Sequence, residues 1–361
     1  MSGKLECSII KNMKTIIKKI NNNQVNTDVI EEAGRILKEG GLVAFPTETV
    51  YGLGADALNE DAAKKIYAAK GRPSDNPLII HITNMDALNQ ITASVSEKAR
   101  IVADRYWPGP LTMIFDKSDV VPYGTTGGLN TVAVRMPVHE IAKEVIDAGG
   151  GYIAAPSANT SGRPSPTTAQ HVAEDLDGKV DMIVDGGAVD IGVESTILDM
   201  TVEPPMILRP GAITREMLED LIGEVAVDQT LIQPDSKKAP KAPGMKYRHY
   251  APKADLTIIE GNIDKVVEEI NRLAKVKLEE GYKVGIIGTS ETVGQYESGD
   301  VKCIGTREDE ATIASNLYGI LREFDDDKVD YIYSESFSSG GIGSAIMNRL
   351  LKAAGHHVIR I

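Results

Sequence analysis

Four segments of the 361-residue chain gather cations, hydroxyls and glycines at spacings that could hold an anionic ligand. Phe45-Pro-Thr-Glu-Thr-Val-Tyr-Gly-Leu-Gly54 places Thr47, Glu48 and Thr49 just beyond an apolar run, where a binding loop is expected. Its ordinary reading is a hairpin or strand-to-helix turn with glycines for tight geometry. Lys70-Gly-Arg72-Pro73 sets two cations around a glycine at the end of a short predicted helix. They complement a helix C-terminus in one reading. In the other they fork a polyphosphate, arginine bidentately and lysine as a point charge. Asn76 follows, and His81 falls within a predicted strand, where a lone histidine is more often packed than catalytic.

The third segment, Ala154-Ala-Pro-Ser-Ala-Asn-Thr-Ser-Gly-Arg-Pro-Ser165, offers hydroxyls and backbone N–H groups suited to phosphate, although taken alone it reads first as an ordinary polar turn. The fourth set is scattered: Arg135 closing a strand, Gly192-Val-Glu-Ser-Thr196 and Leu208-Arg-Pro-Gly211. None of the four carries a nucleophile triad, a metal-ligand cluster or a phosphate-loop signature. Cations and hydroxyls without a nucleophile fit nucleotidyl transfer, where positioning and charge stabilisation supply most of the catalysis.

The elements that must position these residues read as mixed α/β. Helices are predicted over 27–38, 61–69 and 95–106, the last stopped by Trp107-Pro-Gly-Pro110. Strands are predicted over 42–45, 78–82, 111–115, 131–135, 153–155, 182–185 and 195–199. Many lack a helical crossover, so a mixed sheet is expected. From Pro234 to Pro252 four prolines and several basic residues break any regular pattern, giving a stiffened linker within 213–253. Beyond it, strands at 256–259, 283–287, 301–304, 329–333 and 358–361 alternate with helices at 264–280, 309–323 and 343–354. That alternation predicts a small Rossmann-like unit over 254–361. Within it, Ser338-Ser-Gly-Gly-Ile-Gly343 before a helix is either a phosphate loop or a tight packing turn.

Composition narrows the class. Hydrophobic residues make up 42% and charged residues 25%, the balance of an ordinary soluble protein. No apolar stretch approaches the roughly 20 residues needed to cross a bilayer. No secretory leader is expected behind Lys4, Lys11 and Lys14. Cys7 and Cys303 form neither a ligand spacing nor a disulfide framework, which suits a reducing cytoplasm. The formal net charge of -13 disfavours general nucleic-acid binding. Residues 236–253 reverse that trend with six Lys or Arg and no carboxylate, so an anionic surface or ligand is expected against them.

Taken in order, these segments resemble the threonylcarbamoyl-AMP synthase family. The resemblance rests on Pro46–Gly54, Lys70–Pro73, Trp107-Pro-Gly-Pro-Leu-Thr112, Ala155–Asn159, Glu194-Ser-Thr196 and Leu208–Gly211. Pro243-Gly-Met-Lys-Tyr-Arg-His-Tyr250 and Ala345-Ile-Met-Asn-Arg349 add the features of its long, two-domain form. It implies a YrdC-like twisted mixed sheet over 1–212 and the two-domain form with the Rossmann-like unit. The Pro-rich basic linker over 213–253 is expected, as a separate hypothesis, to fold back over the site as a lid. It also implies condensation of L-threonine, bicarbonate or CO2 and ATP, with Mg2+ on the nucleotide, for tRNA modification by downstream partner proteins. For ATP the resemblance implies Lys70, Arg72, Asn76, Thr131, Ser157, Asn159, Ser165, Arg209 and Tyr247, with Lys70, Arg72, Ser157 and Asn159 catalytic. For threonine it implies Thr49, His81, Arg135, Ala155 and Ser195. The rival readings are an RNA-binding module without chemistry, opposed by the acidity and by only four Phe and one Trp, and a carbamoyl transferase.

Overall fold

The computed structural model describes residues 14–20, 27–228 and 249–361. Its larger sheet is built from β1 (Ile16–Lys19), β2 (Val43–Pro46), β3 (Tyr51–Asp56), β4 (Ile79–His81), β5 (Leu111–Asp116) and β6 (Thr131–Arg135). It continues with β7 (Ile153–Ala154), β8 (Met182–Asp185), β9 (Thr196–Asp199), β10 (Met206–Arg209) and β11 (Ala226–Val227). The spatial order is β1-β8-β2-β3-β7-β4-β6-β5-β9-β10-β11. Parallel and antiparallel neighbours mix, as the scarcity of crossovers predicts.

Alternation along the strands buries both faces of this sheet. On β2, Ala44 enters one apolar cluster while Val43 and Phe45 enter the other. One face is covered by α1 (Thr27–Lys38), whose Val29, Ile30, Ala33 and Leu37 share a helical stripe. The other receives α2 (Glu60–Lys70), α3 (Met85–Ile91), α4 (Glu97–Tyr106) and the single turn α5 (Tyr123–Thr126). Next in the chain, α6 (Glu140–Ala148) packs beside α1. Helices α7 (Ala169–Leu176) and α8 (Arg215–Ile222) join the side of α2. Each large side chain buried in this way contributes about 1.5–3 kcal/mol.

Two local features set the site. Asn59 caps α2 by accepting from Asp61 N at 3.0 Å and Ala62 N at 3.2 Å. Gly71 ends that helix at φ 60°, a left-handed geometry natural to glycine, and leaves Lys70 buried on the inner side. The segment Phe45–Gly54 is an antiparallel hairpin of β2 and β3, with Thr47–Val50 at its tip. The hairpin and binding-loop readings therefore both apply.

The stretch from residue 213 opens with regular structure where a linker is expected. Thr214 caps α8 by accepting from Met217 N, Leu218 is fully buried, and β11 pairs parallel to β10. One buried leucine and two strand residues are too short a signal for periodicity to reveal.

The second sheet is wholly parallel, in the order β14-β13-β15-β12-β16. It contains β12 (Asp255–Glu260), β13 (Val284–Gly288), β14 (Asp300–Cys303), β15 (Tyr331–Glu335) and β16 (Val358–Arg360). Helices α9 (Ile263–Glu279), α10 (Glu310–Asp327) and α11 (Gly343–Ala353) alternate with these strands. The two units share an apolar cluster: Val50 and Val193 of the first pack with Tyr250, Leu317, Tyr318 and Ile346. Gly192, at φ 79°, brings its backbone onto α10, where a Cβ would sit 2.4 Å from Ser315 Cα.

Candidate functional site

A cavity opens where the β2–β3 hairpin tip, the ends of β4 and β6, and the 155–165 loop converge. The hairpin tip is tied by Thr47, whose hydroxyl donates to Val50 O at 2.7 Å and lies 2.9 Å from the Thr49 hydroxyl. Arg135, at the end of β6, donates from Nη1 to Thr49 Oγ1 at 2.8 Å. Its Nη2 lies 2.6 Å from Glu48 Oε1, with both side chains 5% exposed. That ion pair lacks hydrogen-bond alignment, so Arg135 Nε and Nη2 and both Glu48 oxygens are buried without a hydrogen-bond partner. A guanidinium held by such imperfect partners fits a carboxylate ligand.

His81 stands beside Arg135 in the β4–β6 register. Its Nδ1 is 3.2 Å from Ile79 O. Burial, reinforced by Arg135, pushes the imidazole down to about 3, so it is neutral at physiological pH.

The 155–165 loop runs along β3, with Leu53 N donating to Pro156 O at 2.8 Å and Ala158 N to Tyr51 O at 2.8 Å. Ala155 N donates to Ile79 O at 2.9 Å. Lys70 reaches this loop from the end of α2, donating to Ser157 O and, at 2.5 Å, to Asn159 O. Burial, with Arg72 nearby, pushes its amine well below the ordinary lysine range. Ser157 Oγ donates to Asn159 Oδ1 at 2.6 Å. Arg72 is held by Asn76 O at 3.3 Å and Pro77 O at 3.1 Å. Burial lowers it to about 10, so it keeps its charge.

Across the cavity, Ser195 Oγ is 2.8 Å from Thr112 Oγ1. Arg209, at the end of β10, donates to Ser195 O at 3.0 Å and to Ser195 Oγ at 3.2 Å.

Eleven of the residues singled out from the sequence thus line one cavity: Thr49, Lys70, Arg72, His81, Arg135, Ala155, Ser157, Asn159, Ser165, Ser195 and Arg209. Asn76 and Thr131 do not line it. Asn76 is buried beneath Arg72. Thr131 begins β6, opposite Asp116, and so lies a strand's length from Arg135. Tyr247 lies outside the described residues, as does most of the expected closing segment. His249 and Tyr250, at its end, do line the cavity, and Ala251 N donates to Gly162 O at 2.9 Å.

Among the lining residues that sequence reasoning left without a role are Arg163, Glu194, His249 and Tyr250. All four stand inside segments already singled out, which is the signal that could have found them.

The arrangement supplies cations and hydroxyls from opposing walls, able to hold a polyphosphate and a small carboxylate together. Comparison with known proteins agrees. The Sua5_yciO_yrdC family model, described as Telomere recombination, matches residues 35–211. The model described as Threonylcarbamoyl-AMP synthase, C-terminal domain, matches residues 213–355. The threonylcarbamoyl-AMP synthase of Bacillus subtilis is 52% identical, covering 93% of this chain and 95% of that protein. That of Pyrococcus abyssi is 51% identical, covering 92% and 96%. A solved structure of P. abyssi Sua5 complexed with L-threonine superposes with a TM-score of 0.91 at 48% identity, covering 96% of this chain and all of that one.

Proposed function

The chain belongs to the threonylcarbamoyl-AMP synthase family, and from that premise we propose that its cavity joins L-threonine, bicarbonate or CO2 and ATP into threonylcarbamoyl-AMP. The observation that carries this reading is the meeting, in one cavity, of the Arg135 guanidinium with the Arg72 and Arg209 cations and the hydroxyl loop that Lys70 fixes. The overall reaction is nucleotidyl transfer. Threonine, bicarbonate and ATP give threonylcarbamoyl-AMP, pyrophosphate and water.

Arg135 takes the threonine carboxylate, with Thr49 and Ser195 supplying hydroxyls and Ala155 its backbone. His81, held neutral, adds no competing positive charge beside Arg135 and can accept or donate one hydrogen bond. The threonine amine attacks the carbon of CO2, or that of bicarbonate whose C–OH bond breaks, and forms a carbamate. The amine proton is lost to solvent, or in the bicarbonate case leaves with the hydroxyl as water. A carbamate oxygen then attacks the α-phosphorus of ATP, and the bond to the β,γ-pyrophosphate breaks. Arg72 and Arg209, with the hydroxyl loop that Lys70 fixes through Ser157 and Asn159, stabilise the charge developing on the transferring and leaving phosphates. Thr131, Asn76 and Tyr247 remain assigned to ATP only by resemblance, and Ser165 joins them from the cavity wall. Magnesium enters as the counter-ion of ATP, in the substrate.

The proposed division of labour has a catalytic unit over 1–212, a connecting stretch over 213–253 and a C-terminal unit over 254–361. The product is consumed by tRNA-modifying partner proteins, and the net acidity opposes direct nucleic-acid binding. Among the described residues no helix is long and apolar enough to cross a membrane; we place the activity in the cytoplasm. The test is incubation with ATP, L-threonine and carbon-13 bicarbonate, followed by mass spectrometry. The expected product joins AMP to threonine through one labelled carbon. An unlabelled adduct, or none, would reject the reaction.

A further inference from the structure

Glu194 puts a negative charge on the wall of a cavity otherwise furnished with cations and hydroxyls. Its carboxylate is surrounded by donors. Ser165 Oγ donates at 2.5 Å, Tyr318 OH at 2.9 Å to Oε2, and Arg349 Nε at 3.0 Å to the same oxygen. Two of these three come from the second unit, Tyr318 from α10 and Arg349 from α11.

Arg349 is fully buried and spreads its remaining donors over the backbone of the first unit. Nη2 donates to Glu194 O at 3.1 Å and Nη1 to Pro210 O at 2.5 Å. Glu194 immediately precedes Ser195, and Pro210 immediately follows Arg209. One guanidinium therefore ties together the two segments that deliver the Ser195–Arg209 pair, themselves joined by two hydrogen bonds. Burial alone would raise the Glu194 carboxyl, but Arg349 and then Arg209 overcome it and hold the group down to about 2. The carboxylate is thus always charged at neutral pH, and the larger part of its cancellation comes from a residue of the other unit.

We propose that Arg349 is a positioning residue of the synthase site, cancelling Glu194 and fixing Ser195 and Arg209 where the anionic substrates bind. The proposal rests on reading the cavity as the synthase site. It gives the C-terminal unit a defined contribution: it supplies the main counter-charge to a carboxylate that would otherwise face the triphosphate under-compensated. A passive staple between the units would use the same contacts, so the test must read something a staple does not affect.

Steady-state pyrophosphate release and thermal melting would be measured on full-length wild type, R349M, R349K and the R349M/E194Q double variant. R349M is expected to raise KM for ATP on the order of tenfold to a hundredfold. Removing the stranded charge in R349M/E194Q is expected to recover most of that loss. R349K, which keeps the cation and so the fold, is expected to hold KM within about threefold while kcat falls on the order of tenfold as the fork is lost. The proposal is overturned by a wild-type KM in R349M, or by a double variant no better than R349M when both melt like wild type. If R349M fails to fold, R349K decides: unchanged kcat overturns the proposal. A wild type that forms no threonylcarbamoyl-AMP rejects the synthase reading itself, which separates the two failures.

Discussion

Arg135 is held by one hydrogen bond to Thr49 and an unaligned ion pair to Glu48 through Nη2, which leaves Nε without a partner. Arg135→Lys keeps the charge but loses the planar fork, so it is expected to raise KM for threonine tenfold or more while changing KM for ATP little. Equal changes in both constants would contradict the assignment. His81 makes a second demand on the same corner. Its pKa is about 3 in the fold against an ordinary 6.5, so the unfolded chain binds the extra proton as pH falls. The stability contributed by neutral His81 is complete above pH 6.5. It declines between 6.5 and about 3, with a slope approaching 1.4 kcal/mol per pH unit. His81→Gln is therefore expected to flatten the loss of melting temperature over that window, and parallel wild-type and variant curves would refute it. The types of these residues were readable from the chain. Their neighbours were not: Glu48 beside Arg135 and Arg349 beside Glu194 depend on contacts 87 and 155 positions apart.

Elements with a strong local signature were legible. Helix α1 begins and ends where Thr27 and the glycines after Lys38 predict, because its apolar stripe, polar face and stop signals agree. The strand 131–135 is likewise recovered, and so is the alternation of the second unit, since buried parallel strands are short apolar runs between helices. Helices α6 and α7 and strands β10 and β11 were not anticipated. They are two to nine residues long, and the folded sheet rather than local propensity decides them. The hairpin tip and the 192–196 segment are a similar case, placed by tertiary contacts. Gly192 tests this directly: at φ 79° with α10 against its Cα, Gly192→Ala meets both backbone strain and a backbone clash. The variant is expected to lose about 2–4 kcal/mol of stability by denaturant unfolding and to raise KM, because Glu194 and Ser195 follow at once. A variant as stable as wild type would mean that α10 yields freely.

At the scale of the molecule the two units meet through charge as well as apolar packing. Arg322 of α10, 1% exposed, donates to both Asp175 carboxylate oxygens at 3.2 and 3.1 Å and to Pro164 O at 2.6 Å. Arg163, on the cavity wall, pairs with that same Asp175 and lies 3.5 Å from Asp325. Arg322→Leu removes two charge-assisted hydrogen bonds to the buried Asp175, leaving Arg163 and Thr160 N as its partners, and is expected to cost about 1.5–3 kcal/mol. It should also split one calorimetric unfolding transition into two; a single unshifted transition would show that the units do not stabilise each other there. The division into a mixed sheet and a parallel sheet was legible from the change of period, whereas the clamp between them was not, because no local pattern links Asp175 to Arg322.

The most direct measurement is pyrophosphate release from ATP by the full chain, with L-threonine and bicarbonate added separately and together. Release that requires both co-substrates and falls on Arg135→Lys is the expected result. Release from ATP alone, or none from a folded protein that binds ATP, would contradict a threonylcarbamoyl-AMP synthase built on this cavity.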